Sequence, residues 1–166
     1  MKIKIGGLSE GVHQYRFQTP ALAVGLGENF PGDVIVDAEL DMSGTQLMLR
    51  AEIQTSGRFV CDRCTREFTS PVSTSYQMYY VTEGASFADI DATELQVIPP
   101  GSNIIDISDD VRQVSLLAVP LKLLCSEGCE GLCPYCGKNR NVETCTCVGP
   151  EEDSRWEALR ALRGND

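Results

Sequence analysis

At 166 residues with 42% apolar side chains, the chain is long enough for one domain with a buried core and a small appended module. Its formal charge of −10 argues against a broad phosphate-wrapping surface, and no run of about 18 apolar residues offers a membrane span. The first residues, MKIKIGGLSEGVHQYRF, lack the continuous apolar stretch of a secretory signal, so a cytoplasmic protein is expected. In a reducing compartment, cysteine pairs serve more often as metal ligands than as disulfides.

Residues 2–56 read as strands. Lys2 to Ile5 alternates, Val12 to Phe17 alternates more loosely, and Asp33 to Asp41 alternates almost without fault. Gly44 marks a turn, after which Leu47 to Ile53 continues, which predicts an antiparallel meander with one wet face. Cys61 and Cys64 interrupt the next strand pair, so this CxxC knuckle is expected at a hairpin tip. The run from Phe68 to Tyr80 leads away from it, with Pro71 suggesting an edge position. Residues 82–103 look like an acidic connector with little core, before a short strand at Ile104 to Ile107. Ser108 is then the expected helix cap, with Asp109 and Asp110 in the first turn. Val111, Val114, Leu117 and Ala118 form an apolar stripe, and Pro120 ends the helix. Beyond Gly149-Pro150, a last short helix is expected to place Trp156, Leu159 and Leu162 on one face.

Six of the eight cysteines fall between Cys125 and Cys147. Their short spacings, with Gly131, Pro134 and Gly137 between them, are those of thiolates folded around metal ions. Eight thiolates suffice for two tetrahedral sites. Cys133, Cys136, Cys145 and Cys147 lie within fifteen residues, so closing that loop costs little entropy. Cys61 and Cys64 would then be completed by Cys125 and Cys129. A crossed arrangement, joining the first knuckle to Cys133 and Cys136, remains the alternative. Zinc, two ions in all, is the expected cofactor, with iron–sulfur ligation possible in principle.

The fold expected is α+β: a mainly antiparallel sheet with one central helix, then a C-terminal cysteine-rich zinc module with a short terminal helix. The division is 1–124 and 125–166, the two parts packed together through shared metal ligands.

Cys61-x-x-Cys64, an aromatic-rich strand, an acidic connector and Asp106-Ile107-Ser108 opening a helix that runs into Pro120 together resemble the YceD family. The tail resembles it more closely: Cys129-x-Gly131-Leu132-Cys133-Pro134-x-Cys136-Gly137, then Asn141, Cys145-x-Cys147 and Trp156. The resemblance runs from about residue 30 onward and implies a metal-binding protein that supports accumulation of large-subunit ribosomal RNA. Arg140 departs from it, standing where leucine is common.

That resemblance implies a non-catalytic ribosome-biogenesis factor, and the residues agree in part. Arg58, Arg63, Arg66, Lys138 and Arg140 sit beside the knuckles and are candidates for local contact with RNA or a partner. Tyr76, Tyr79 and Tyr80 are stacking candidates, although strand tyrosines more often pack. Overall acidity favours a basic ribosomal or assembly protein as the main partner. A zinc-dependent thiol redox sensor is one alternative, but Cys61 lies in a strand context rather than the βαβ setting of thioredoxin-like chemistry. A purely structural interaction domain is another. No enzyme is expected, because the single histidine, His13, is far from the cysteines and no Ser-His-Asp or phosphate-loop pattern is present.

Overall fold

In Asp33–Ser43 every second residue, Val34, Val36, Ala38 and Leu40, is buried, while Asp37, Glu39 and Asp41 turn to the other face. Successive side chains of a strand point to opposite sides, so this pattern can only be satisfied by a sheet with one covered face. The computed structural model describes residues 1–44, 46–82 and 94–148. Its strands are β1 (Lys2–Lys4), β2 (Gly11–Pro20), β3 (Asp33–Ser43), β4 (Gln46–Val60), β5 (Glu67–Thr82), β6 (Leu95–Ile98) and β7 (Ile104–Asp106). A 3-10 helix (Ala21–Val24) follows β2, and α1 (Ser108–Leu117) follows β7.

The main sheet has the order β2-β3-β4-β5-β6, and β1 pairs with β7 in a separate two-stranded ribbon. Strands β2 to β5 are antiparallel neighbours, but β6 runs parallel to β5, from Tyr79↔Leu95 to Thr82↔Ile98. The sheet is therefore mixed, and part of the stretch read as a connector is an edge strand. Only Ile98 of its four residues is buried, so no local alternation advertised it. Pro71 opposes Ser56 of β4, and β6 joins β5 only from Tyr79 onward, so the missing amide falls where β5 has no second neighbour among the described residues.

The covered face holds one continuous core. Leu49, Ile53 and Phe59 of β4 share this core with Ile3, Leu26, Phe30, Ile105, Ile107 and Val111, contributed by the ribbon, the loop after the 3-10 helix, the residue joining β7 to α1, and α1 itself. Phe30 meets Phe59 edge-on at 6.1 Å between ring centroids, and Phe59 in turn meets Phe68 at 6.1 Å. This aromatic row carries the core to the end of the sheet where the first knuckle sits.

Two details of α1 differ from expectation. Ser108 is already helical and its hydroxyl does not cap; the Asp106 carboxylate accepts the Ser108 N–H at 3.0 Å. The Ser108 hydroxyl first, and then that backbone contact, hold the Asp106 carboxyl below its ordinary range against the opposing effect of burial. Asp106→Ala is expected to cost about 1 kcal/mol, the usual loss for a side-chain cap, read as a lowered urea midpoint at unchanged slope. The buried stripe is Val111 and Ser115 flanked by Val114 and Ala118, and Leu117 is 83% exposed. Residues four and seven on from Val111 share its face, whereas the sixth is rotated away. Ser115 is tolerated there because its hydroxyl donates to the Val111 carbonyl at 2.6 Å. The expected terminal helix with Trp156, Leu159 and Leu162, and residues 83–93 of the connector, lie outside the described residues.

Candidate metal centre

The first knuckle closes the β4–β5 hairpin. Cys61 N–H donates to the Arg66 carbonyl at 2.9 Å, Thr65 N–H to the Cys61 carbonyl at 2.9 Å, and Thr65 takes a left-handed φ of 57°. This tight turn aims both thiols off the end of the sheet. A second segment arrives there from α1, clasped by Asp62: its N–H donates to the Leu123 carbonyl at 2.8 Å, and its carboxylate accepts the Leu123 N–H at 2.7 Å. The clasp brings Cys125 and Cys129 over the knuckle. Cys61 and Cys129 sulfurs lie 3.8 Å apart, Cys64 and Cys125 sulfurs 3.6 Å, and all four fall within 4.8 Å of one another. Cys61, Cys64 and Cys129 are buried against Phe68 and Leu124.

The other four gather in the following loop. Leu132 bridges Asn139, Cys133 N–H donates to the Lys138 carbonyl at 2.8 Å, and Gly137 N–H returns to the Cys133 carbonyl at 2.9 Å. Cys145 Sγ lies 3.5 Å from Cys136 Sγ and 3.3 Å from Cys133 Sγ, and the quartet with Cys147 again fits within 4.8 Å. Cys133 is buried, whereas Cys136 and Cys147 are exposed. The chain thus brings together 61, 64, 125 and 129 in one group and 133, 136, 145 and 147 in the other, and not the crossed set.

The donor geometry fits a tetrahedral ion. Four sulfurs at about 2.3 Å from a central zinc stand about 3.8 Å from one another, near the separations seen here and far from the roughly 2.0 Å of a disulfide. All eight cysteines are free thiols.

Electrostatics within each group is uneven. Burial disfavours the Cys61 thiolate, but amide donors from Cys125, Cys64 and Arg63 outweigh it and lower the pKa to about 6. The amides of Cys136 and Tyr135 lower Cys133 to about 6. The neighbours move the other way. At Cys64 the Arg66 amide favours the thiolate, yet burial and the adjoining sulfurs prevail and raise it to about 11. Cys147 is raised to about 12 by the sulfurs of Cys145 and Cys136. Cys145 also moves up: the Cys147 amide favours its thiolate but is outweighed by the Cys133 and Cys136 sulfurs. One thiolate forms readily in each group, and protons are held on Cys64 in the first and on Cys145 and Cys147 in the second. A divalent cation would reverse this by demanding deprotonated ligands. Zinc loading at pH 7 is therefore expected to expel protons, at least those of Cys64, Cys145 and Cys147. The apparent affinity should fall with falling pH. Calorimetry in buffers of different ionisation enthalpy reads that proton count.

Of the basic candidates, Arg58, Arg63, Arg66, Lys138 and Arg140 are all exposed around the two groups. Arg63 is already used, its guanidinium donating to the Cys129 carbonyl at 2.8 Å, and Lys138 faces Glu143 at 3.8 Å. Among the described residues, Arg58, Arg66 and Arg140 make no ion pair. Tyr80 is 1% exposed and so belongs to the core, while Tyr76 and Tyr79 are half-buried. Asp62 was not singled out by sequence reasoning, although an aspartate between two knuckle cysteines is a signal for such a clasp. A trough of about 880 Å³ across the sheet, lined in part by Arg16, Asp37, Glu39, Arg50, Glu52 and Gln77, contains none of the cysteines or basic candidates and, of the three tyrosines, Tyr76 alone.

A profile described as "Large ribosomal RNA subunit accumulation protein YceD" matches residues 49–163, which include both cysteine groups. The chain belongs to the YceD family. Two plant relatives, from Arabidopsis thaliana and Zea mays, carry the name "Large ribosomal RNA subunit accumulation protein YCED homolog 1, chloroplastic". The Arabidopsis relative is 23% identical over 190 residues, covering 98% of this chain and 59% of its own length. The maize relative is 38% identical over 60 residues, 36% of this chain and 20% of its own. The chain thus spans about three-fifths of the Arabidopsis protein and a smaller share of the maize one. No solved structure matches. No described helix is long and apolar enough to cross a membrane.

Proposed function

We propose that the chain is a non-catalytic, zinc-binding factor of ribosome biogenesis that supports accumulation and maturation of large-subunit ribosomal RNA in the cytoplasm. The name carried by its family and its plant relatives supports the process. The observation that carries the molecular role is the pair of all-cysteine groups at tetrahedral spacing. A closed shell of four thiolates leaves no position for substrate or activated water, so each ion would contribute folding energy rather than chemistry. Cys61, Cys64, Cys125 and Cys129 would hold one zinc and join residues 1–124 to the module at 125–166. Cys133, Cys136, Cys145 and Cys147 would hold the other within that module.

The net charge of −10 favours a basic ribosomal or assembly protein as the main partner. Exposed Leu117 and Leu121, beside the first group in the chain, offer apolar contact to it. Arg58, Arg66 and Arg140 would supply local contact with RNA.

The test is the ratio of large- to small-subunit ribosomal RNA in cells depleted of this protein. The expected result is a selective fall in the large-subunit RNA, rescued by the wild-type chain and not by Cys61→Ser. An unchanged ratio removes the ribosomal reading.

Exposure of Cys136 and Cys147 favours a second reading, in which oxidant reaches the outer group and releases its zinc. Full retention of both ions under mild peroxide would exclude it.

A further inference from the structure

The side chain of Asn141 belongs to the loop of the second cysteine group, yet its amide nitrogen reaches the Cys129 sulfur of the first at 3.5 Å. Every polar atom of that amide is engaged. Its oxygen accepts the Glu130 N–H at 2.9 Å, and its nitrogen also donates to Asn139 Oδ1 at 2.7 Å. The network fixes which way the amide points: a flipped amide would set its NH₂ against the Glu130 N–H. The Asn141 backbone N–H is held as well, donating to Asn139 Oδ1 at 3.0 Å. Neighbouring contacts tighten the junction, for Leu132 N–H donates to the Arg63 carbonyl at 3.0 Å and Arg140 N–H to the Gly131 carbonyl at 3.0 Å.

We propose that Asn141 is a positioning residue that couples the two metal sites, donating from the loop that closes the second to a ligand sulfur of the first. This rests on the reading of both groups as metal sites. An N–H donor on a thiolate offsets part of its charge and fixes its direction, so it slows loss of the ion that the thiolate holds. The donor stays in place only while residues 133–145 are folded around their own ion. Emptying the second site would therefore loosen the first, and by linkage filling the second tightens it.

The variant that isolates the contact is Asn141→Asp. It keeps the shape and the oxygen that accepts from Glu130, and it replaces the donor with an anion. The full chain is loaded with cadmium, and wild type is expected to give two cadmium NMR resonances, assigned by Cys61→Ser and Cys145→Ser. In Asn141→Asp the resonance of the first site should shift, and zinc release from that site to a chromogenic chelator should speed up about tenfold. Asn141→Ala should behave likewise, and a mere packing change would leave the first-site resonance in place. Two wild-type resonances with an unmoved first site and an unchanged release rate in Asn141→Asp would overturn the coupling alone. A wild-type chain that takes up no cadmium would overturn the metal reading and the coupling with it.

Discussion

With both cysteine groups holding zinc as proposed, Cys61→Ser is expected to lose one of the two ions and to lower the melting temperature by about 10 °C, corresponding to about 4 kcal/mol for a chain of this size. The magnitude follows from position. Cys61 is 1% exposed, its backbone closes the β4–β5 turn, and Phe68 links its surroundings to the Phe59 and Phe30 rings of the core. Removing one ligand leaves three sulfurs without a closed shell around an ion, and Leu123 to Cys129 then keep as polar ties the Asp62 clasp, the Arg63 bond to the Cys129 carbonyl and the Asn141 contact with the Cys129 sulfur. Cys145→Ser should also lose one ion, but the group to which Cys145 belongs does not pack with the aromatic row, so the sheet should melt within about 3 °C of wild type. Atomic absorption and calorimetry on the same samples give both numbers. Equal loss of melting temperature in the two variants would contradict the staple role of the first site.

Some of this arrangement was legible in the sequence, and what was legible is local. Val34, Val36, Ala38 and Leu40 announce their strand because alternation is a property of neighbouring residues. The place of Cys61 and Cys64 at a hairpin tip follows in the same way from the strands on either side. Strand β6 was not legible, since its parallel pairing with β5 depends on a partner more than ten residues away and only Ile98 enters the core. The helix stripe was legible except at one position: Val111, Val114 and Ala118 were placed, but the preference for Leu117 hid Ser115, whose hydroxyl is satisfied by its own helix. Spacing made the second cysteine group the natural one to close on itself, whereas the first spans more than sixty residues and depends on Asp62 and Leu123 finding each other. Asn141 stood out in the sequence as a motif residue with no role. Its role needed the Cys129 sulfur beside it.

Gly131→Ala is expected to damage both cysteine groups at once. Gly131 lies between Cys129 and Cys133, one cysteine of each group, and has a φ of 75° that side-chain-bearing residues avoid. Strain of that kind costs about 1–2 kcal/mol by itself. A methyl group here would also lie 2.9 Å from the Arg63 carbonyl oxygen and 3.3 Å from Arg63 Cβ, so the obstacle is backbone of the first knuckle and cannot swing aside. Relief requires the two loops to part, which breaks the Leu132 bond to the same carbonyl and draws Asn141 away from Cys129. Gly137 supplies the control, having a φ of 73° and nothing within 4 Å of the added methyl. Gly137→Ala should therefore show the conformational strain without the collision. The expected result is a loss in Gly131→Ala larger by about 2 kcal/mol, together with faster zinc release from both groups, against release chiefly from the second group in Gly137→Ala. Equal losses would mean that the knuckles do not bear on one another, and the two groups would then be independent metal sites on one chain.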